Sequence, residues 1–536
     1  MQIISLAVAV AMGIACAAPA LLRLVERIVR SLAGLSQRKL ICAVMVGGVS
    51  LAADCALVLC QGFQQPRVQD EFSYLLAADT FAHGRLTNPT PPFWKHFETP
   101  HVLVRPTYMS KYPPGQGMAL AFGQVLAGAA IVGVWLSAAA AAMAIYWMLL
   151  SFVTPGWALA GGIVAALHPQ LLAWGHVYWG GSVAVLGAAL VLGAWGRLMR
   201  DASAGSAIVL AIGLGILANS RPYEGLIVSL PLLVALLLRV LPGANRWRVL
   251  IPLGATLLLV GAWMGYYNFR VTGHALRMPF VEYSQQYDVY PKFWFLPART
   301  PPQYRNDVMR SLHTQWELGD YERMRTVRGV VWIEISRLWQ NLEIAAQPLV
   351  LVIPLLAAVG LWNRERFGWV WLTIGIFVLG IWAESWFLPH YAAPVVPLAL
   401  LLMVGGWQWL WSFRRWDVDI GKILIFATFC GFVAGSVGWM AASPVQPPRF
   451  GRAELVANYP QLQTGRHLIF VRYLPGHLLD DEWVYNRADL AQADIIWARA
   501  MGESDIPVIQ YFAGRQVWLL EVGKDQLRLN TYTLTH

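Results

Sequence analysis

The stretch LICAVMVGGVSLAADCALVLCQGFQQPRVQDEFSYLL, residues 40–76, decides how the rest of the chain is read. Its first part, 40–63, is an apolar run long enough to cross a hydrocarbon core of roughly 30 Å. Its second part sets Asp70 and Glu71 side by side at the mouth of that run, followed by Phe72 and Tyr74. An acidic pair close to hydrocarbon is costly unless it is solvated, paired or put to use. The run predicts a membrane span, and the pair predicts chemistry at a membrane surface.

The rest of the chain agrees with a membrane setting. Hydrophobic residues make up 57% of the 536 positions and charged residues 13%, where soluble chains average about 25% charged. Apolar runs recur near 3–22, 40–62, 128–151, 157–174, 180–198, 205–221, 226–241, 249–267, 343–362, 367–387, 391–412 and 421–442. About twelve transmembrane helices are expected. The first run lacks a basic start, which argues for a span over a signal peptide.

Basic residues fall on alternate connections. Arg23, Arg27, Arg30, Arg38 and Lys39 follow the first run; Arg197, Arg200, Arg239, Arg246 and Arg248 follow later ones. Arg364, Arg366, Arg414, Arg415 and Lys422 continue the same side. The positive-inside rule makes that side cytoplasmic, which puts 64–127, 268–342 and 443–536 outside. The net charge of +10 is then topological and argues for no nucleic-acid partner. Cys16, Cys42, Cys55, Cys60 and Cys430 all lie in apolar runs, so none staples an outer loop and no metal spacing exists among them.

The first outer segment, 64–127, is rich in groups that can act. It holds Asp70, Glu71, His83, His96, His101, Arg105 and Lys111, interleaved with Tyr74, Trp94, Tyr108 and Tyr112. Apolar positions 72, 75, 76 and 81 predict an amphipathic helix ending at Gly84. Tyr112-Pro113-Pro114-Gly115 predicts a rigid turn leading into a helix over 117–127. His83, His96 and His101 match no metal-ligand spacing. Other outer span ends add Arg221 and Glu224, and His390 with Tyr391. The tail 443–536 predicts a β-α-β-α-β unit, with strands at 467–473, 495–498 and 517–522, helices from 486 and over 504–512, and Asp480-Asp481-Glu482 in a surface loop. It has no phosphate-binding glycine loop.

The chain resembles the GT-C glycosyltransferases, of the branch that includes protein O-mannosyltransferases and the lipid A aminoarabinose transferases. The residues that carry the resemblance are Asp70-Glu71 with Tyr74 after a span, Tyr112-Pro113-Pro114-Gly115, Arg221-Pro222, and His390-Tyr391 with Pro394 and Pro397, over residues 40–412. The outer loop 268–342 departs from protein O-mannosyltransferases, which puts a protein acceptor in doubt. The resemblance implies a polytopic α-helical membrane protein, with a GT-C-like domain over 1–442 and a small extracytoplasmic α/β domain over 443–536. It implies a bacterial inner (plasma) membrane, with the active site on the extracytoplasmic side. The donor would be a polyprenyl-phosphate sugar lipid, the acceptor a glycan, lipid or protein. Asp70 would be the general base, with Glu71 beside it.

The chemistry is consistent with those residue types. The acceptor hydroxyl must lose a proton, which a carboxylate can take. The phosphate leaving group needs a cation, for which Arg221, Arg105 and Lys111 are the candidates. Tyr74, Glu224, His390 and Tyr391 complete the expected substrate-binding set. No cofactor is indicated with certainty, and a divalent cation assisting the phosphate stays open. Plainer roles stay open too: the acidic pair as a helix cap, Arg221 paired with Glu224, His390 and Tyr391 as interfacial belt. Two other classes compete. A transporter or flippase would line a path with charges, yet no internal repeat is present. A polysaccharide polymerase or ligase would share the outer arginines without needing an acidic pair.

Overall fold

The computed structural model describes residues 1–16, 27, 34–413, 419–442, 451–524 and 526–533. Arg23, Arg30, Arg414 and Arg415, together with 17–22 of the first expected span and 443–450 of the tail, lie outside the described residues. Among the described residues, seven helices are long and apolar enough to cross a membrane. They are Lys39–Gln61, Ala130–Leu149, Pro222–Val240, Trp247–Thr272, Glu365–Ala383, Pro389–Leu410 and Ile420–Ala442. Val327–Ala346 and Leu349–Leu361, bent by 86°, make an eighth if taken as one span.

Three of the remaining expected runs meet shorter apolar helices, Pro155–Leu167, Ser182–Leu198 and Ala204–Ala218, and of the first run only the helix Gln2–Cys16 is described. Those three fall below the roughly 20 residues of a full straight span. Among the described residues, seven of the twelve expected runs, or eight with the bent pair, meet helices of full span length. One cause is visible at 157–174: a proline cannot continue a helix, so the run stops at Leu167 and restarts as the helix Pro169–Trp174.

The described chain forms two compact units. The first comprises Met1–Phe63, Val134–Ala262 and Thr326–Pro444. Trp195, Trp407 and Tyr146 are fully buried in its core. Small residues let its helices touch through their backbones. A Cβ on Gly406 would fall 1.9 Å from the Pro354 carbonyl oxygen.

The second unit comprises Gln64–Gly133, Trp263–Arg325 and Val445–His536. Its first helix, Gln69–Ala82, ends where expected. Gly84 takes φ 69°, and the amides of Gly84 and Arg85 donate to Phe81 and Thr80 carbonyls, closing the last turn with a left-handed glycine. The next helix, Pro114–Ala127, begins earlier than 117 because proline is well placed at a first helical position. The two helices are in close contact: a Cβ on Gly117 would lie 2.7 Å from Ala77 Cβ.

Two sheets complete this unit. Strands β1 (Asn88–Pro89), β2 (Val102–Leu103) and β3 (Thr107–Ser110) form a small antiparallel sheet in the order β1-β3-β2. In the tail, β4 (His467–Tyr473), β5 (Ile495–Arg499), β6 (Gln516–Val522) and β7 (Leu527–Thr531) are ordered β5-β4-β6-β7. β4 is parallel to β5 and β6, and β7 is antiparallel to β6. One face of this sheet shares a core with Phe97 of the 64–133 segment.

The helix expected from 486 is absent from the described structure. Asn486 instead imitates a strand partner. Its Nδ2 donates to the Trp497 carbonyl at 2.8 Å, and its Oδ1 accepts from the Trp497 amide at 2.9 Å. The loop expected around Asp480-Asp481-Glu482 is only partly at the surface. Glu482 is 4% exposed and ion-paired to Arg499 at 3.0 Å.

Candidate active site

In the second unit, the helix Gln69–Ala82 starts with both carboxylates in its first turn. Glu71 turns back on the helix start. Its Oε2 accepts from the Arg67 amide at 2.7 Å and the Val68 amide at 3.4 Å, so it caps the helix and is 5% exposed. Asp70 is half-buried and its Oδ1 accepts from the Tyr112 hydroxyl. Tyr74, one turn along, stacks on Tyr112 with centroids 4.4 Å apart. The rigid Pro113-Pro114 step after Tyr112 fixes where that ring stands.

Lys111 precedes Tyr112, so its ammonium stays near the same ring, 5.3 Å from the Tyr112 centroid and 4.6 Å from that of Tyr283. A carboxylate and an ammonium therefore meet around one tyrosine. Arg105 is exposed and lies over Trp94 at 5.1 Å. Asp480, from the tail, has its carboxyl pushed up by burial and by the charge of Asp70.

A buried polar chain runs beside this cluster. Ser73 Oγ donates to the His101 carbonyl at 2.6 Å and contacts Ser110 Oγ at 2.7 Å. The His101 amide donates to Tyr283 Oη at 3.0 Å, and that hydroxyl meets His313 Nε2 at 3.3 Å. His101 sits at φ 64°, an uncommon left-handed conformation for a residue with a Cβ. Burial first, then the charges of Lys111 and His313, push its imidazole well below the usual range, so the ring is neutral.

The chain ends on groups that sequence reasoning passed over. His313 Nδ1 lies 2.5 Å from Glu317 Oε2 and 3.5 Å from Asp288 Oδ1. One ligand atom from each of Asp288, His313 and Glu317 falls within 4.8 Å of the others. Burial, then Glu317, push the Asp288 carboxyl up, and its Oδ1 is buried without a hydrogen-bond partner. The available signal was His313 and Glu317 at i and i+4, which share a helix face. His96, by contrast, binds Asp505 in the tail at 3.1 Å.

The other expected residues lie in the first unit. Arg221 places its guanidinium 4.4 Å from the Tyr391 ring centroid. His390 stacks on Trp179 at 5.1 Å and meets Tyr391 edge-on at 5.0 Å. Glu224 is buried in the first turn of the helix Pro222–Val240. Arg221, His390 and Tyr391 are thus one cluster, and Asp70, Tyr74 and Lys111 are another.

No protein-family model and no curated protein matches the chain. Solved structures do. Over 90% of its length the chain is similar to the oligosaccharyltransferase of Archaeoglobus fulgidus in complex with zinc and sulfate. That match has 12% identity and a TM-score of 0.50, and it covers 67% of the archaeal chain. Over 92% of its length the chain is similar to apo ArnT from Cupriavidus metallidurans, at 14% identity and TM-score 0.50, covering 93% of that chain. The same ArnT bound to undecaprenyl phosphate matches at 14% identity and TM-score 0.46. The chain shares the fold of the first two of these structures, mostly helical with a small C-terminal sheet.

Proposed function

We propose that the chain transfers a sugar from a polyprenyl-phosphate donor to an acceptor hydroxyl on the extracytoplasmic side of a membrane, with Asp70 as general base. The observation that carries this reading is the carboxylate of Asp70 and the ammonium of Lys111 brought to one aromatic group, Tyr112. Base and phosphate counter-charge are the two things the transfer needs. The fold is compatible, and the ArnT it resembles binds undecaprenyl phosphate.

In this reading each residue has a role. Asp70 takes the proton of the attacking hydroxyl as the sugar passes through an oxocarbenium-like state, a contribution of typically about 10²–10⁴-fold. Tyr112 orients that carboxylate through its hydrogen bond, and Tyr74 holds the Tyr112 ring. Lys111 balances the charge developing on the departing phosphate. Glu71 fixes the helix start from which Asp70 projects. Arg221, backed by Tyr391 and His390, offers a second phosphate site at headgroup depth, with Glu224 supporting its helix. Arg105, exposed over Trp94, is placed to meet substrate at the surface.

Asp288, His313 and Glu317 fit a divalent cation: two hard oxygen donors and an imidazole, one carboxylate oxygen buried without a hydrogen bond. Such an ion would add positive charge beside the phosphate site. Its presence is testable by metal analysis of purified protein, where His313→Ala should lower the content.

Tyr112→Phe tests the assembly. It keeps the stack and removes the hydroxyl. Donor turnover should fall with KM for donor little changed, because the lost contact orients Asp70. A change confined to KM would place Tyr112 in donor binding and remove the support for Asp70 as base.

A further inference from the structure

In the second unit a cavity of about 680 Å³ opens between residues 305–315 and the ends of β4 and β5. Those two strands are parallel, and Val471–Tyr473 and Arg499 are their carboxyl-terminal residues. Crevices outside the carboxyl ends of parallel strands are where open sheets take ligands, and small-molecule sites span about 300–1,000 Å³.

The lining is basic. Arg305, Arg472, Arg499 and His477 face it against one carboxylate, Asp307. Asp307 is itself ion-paired to Arg310. The carboxylates that partner the three arginines are Glu98 for Arg305 at 3.2 Å, Glu521 for Arg472 at 3.6 Å and Glu482 for Arg499 at 3.0 Å. None of these three lines the cavity. Arg499 also donates to the Glu98 carbonyl at 3.2 Å.

Arg499 lines the cavity while only 6% exposed, its guanidinium held by Glu482. Tyr473 and His477 stack at 4.0 Å in the same wall, with the Arg499 guanidinium 5.4 Å from the Tyr473 ring centroid.

We infer that this cavity binds an anionic saccharide, one bearing a carboxylate or a phosphate, as the acceptor; the acceptor role rests on the transfer proposed above. Guanidinium groups match both anions with paired donors. The cavity holds the saccharide by its charge and leaves its hydroxyls for transfer.

Isothermal titration of the full-length protein in detergent tests this without any donor present. The probes are tetragalacturonate, mannose 6-phosphate and neutral maltotetraose. An anionic probe should bind at least tenfold tighter than maltotetraose and weaken as salt is added. Arg472→Ala and Arg305→Gln should each lower its affinity about tenfold, with Arg472→Lys milder because the planar fork is lost while charge stays. Thermal unfolding of each variant checks that it folds. Tetragalacturonate binding alone identifies the carboxylate class, mannose 6-phosphate alone the phosphate class. Equal binding of maltotetraose, no binding of either anion, or unchanged affinity in both folded variants overturns the inference. Donor turnover without anionic-saccharide binding refutes the cavity alone. Binding without donor turnover refutes the transfer alone.

Discussion

At the first turn of the helix Gln69–Ala82 two neighbouring carboxylates part company. Glu71 satisfies backbone amides at the helix start, and Asp70 reaches the hydroxyl of Tyr112. Asp70→Asn keeps shape and loses the proton acceptor. It should cut transfer by about 10²–10⁴-fold while membrane insertion stays normal, read by donor turnover and by fluorescence-detected gel filtration. Glu71→Gln should act through stability, costing about 0.5–2 kcal/mol as a lost cap. Arg221→Ala removes a charged hydrogen-bonding partner, an effect of about 1.5–3 kcal/mol. Donor kcat/KM should drop roughly ten- to a hundredfold, with the acceptor KM unmoved. His101 gives a pH test. Its folded pKa lies below the usual 6.5, so the stability it contributes is full above 6.5 and lost as pH falls towards the folded value. Each pH unit below 6.5 should cost up to about 1.4 kcal/mol until the folded ring protonates. His101→Asn, which suits the left-handed backbone, should flatten the melting temperature against pH over that range.

At the scale of elements, what sequence could show was local. The helix ending at Gly84 followed from apolar spacing and a left-handed glycine, and β4, β5 and β6 of the tail from β-rich composition, while β7 gave no such signal. Pro114 opening a helix, Pro169 splitting a run, and Asn486 standing in for a strand each depend on one residue overriding the pattern. The Asp288, His313 and Glu317 cluster was not legible. His313 and Glu317 share a helix face, but Asp288 lies twenty-five residues earlier, at the end of the helix Pro279–Tyr287, whose Tyr283 and Tyr287 share a core with Leu103 and Met109. Helix packing is testable at Gly117. Gly117→Val would drive a side chain into Ala77 and should cost about 1–3 kcal/mol, seen as a lower melting temperature. A melting temperature equal to wild type would mean that the two helices can separate without penalty.

For the whole molecule, alternating apolar runs and segregated arginines made the membrane class legible. The joining of 64–133, 263–325 and 445–536 into one unit was not, because Phe97 meeting β4 and Glu98 meeting Arg305 and Tyr287 are contacts remote in sequence. Orientation is open to direct measurement. In a cysteine-free background, single cysteines at Pro92, Thr300 and Lys524 should react with an impermeant thiol reagent from outside. Cysteines at Gly34 and Ala202 should react only after permeabilisation. Lys524 labelling solely after permeabilisation would reverse the side assigned to the tail.

The central claim is that Asp70 drives sugar transfer from a polyprenyl phosphate. Its most direct test is release of polyprenyl phosphate from a panel of polyprenyl-phosphate hexoses and pentoses, by purified wild-type and Asp70→Asn protein in proteoliposomes. The account predicts release from at least one donor by wild type, and about a hundredth of that rate or less with Asp70→Asn. Equal release by both proteins, or none from any donor by well-folded wild type, would contradict it.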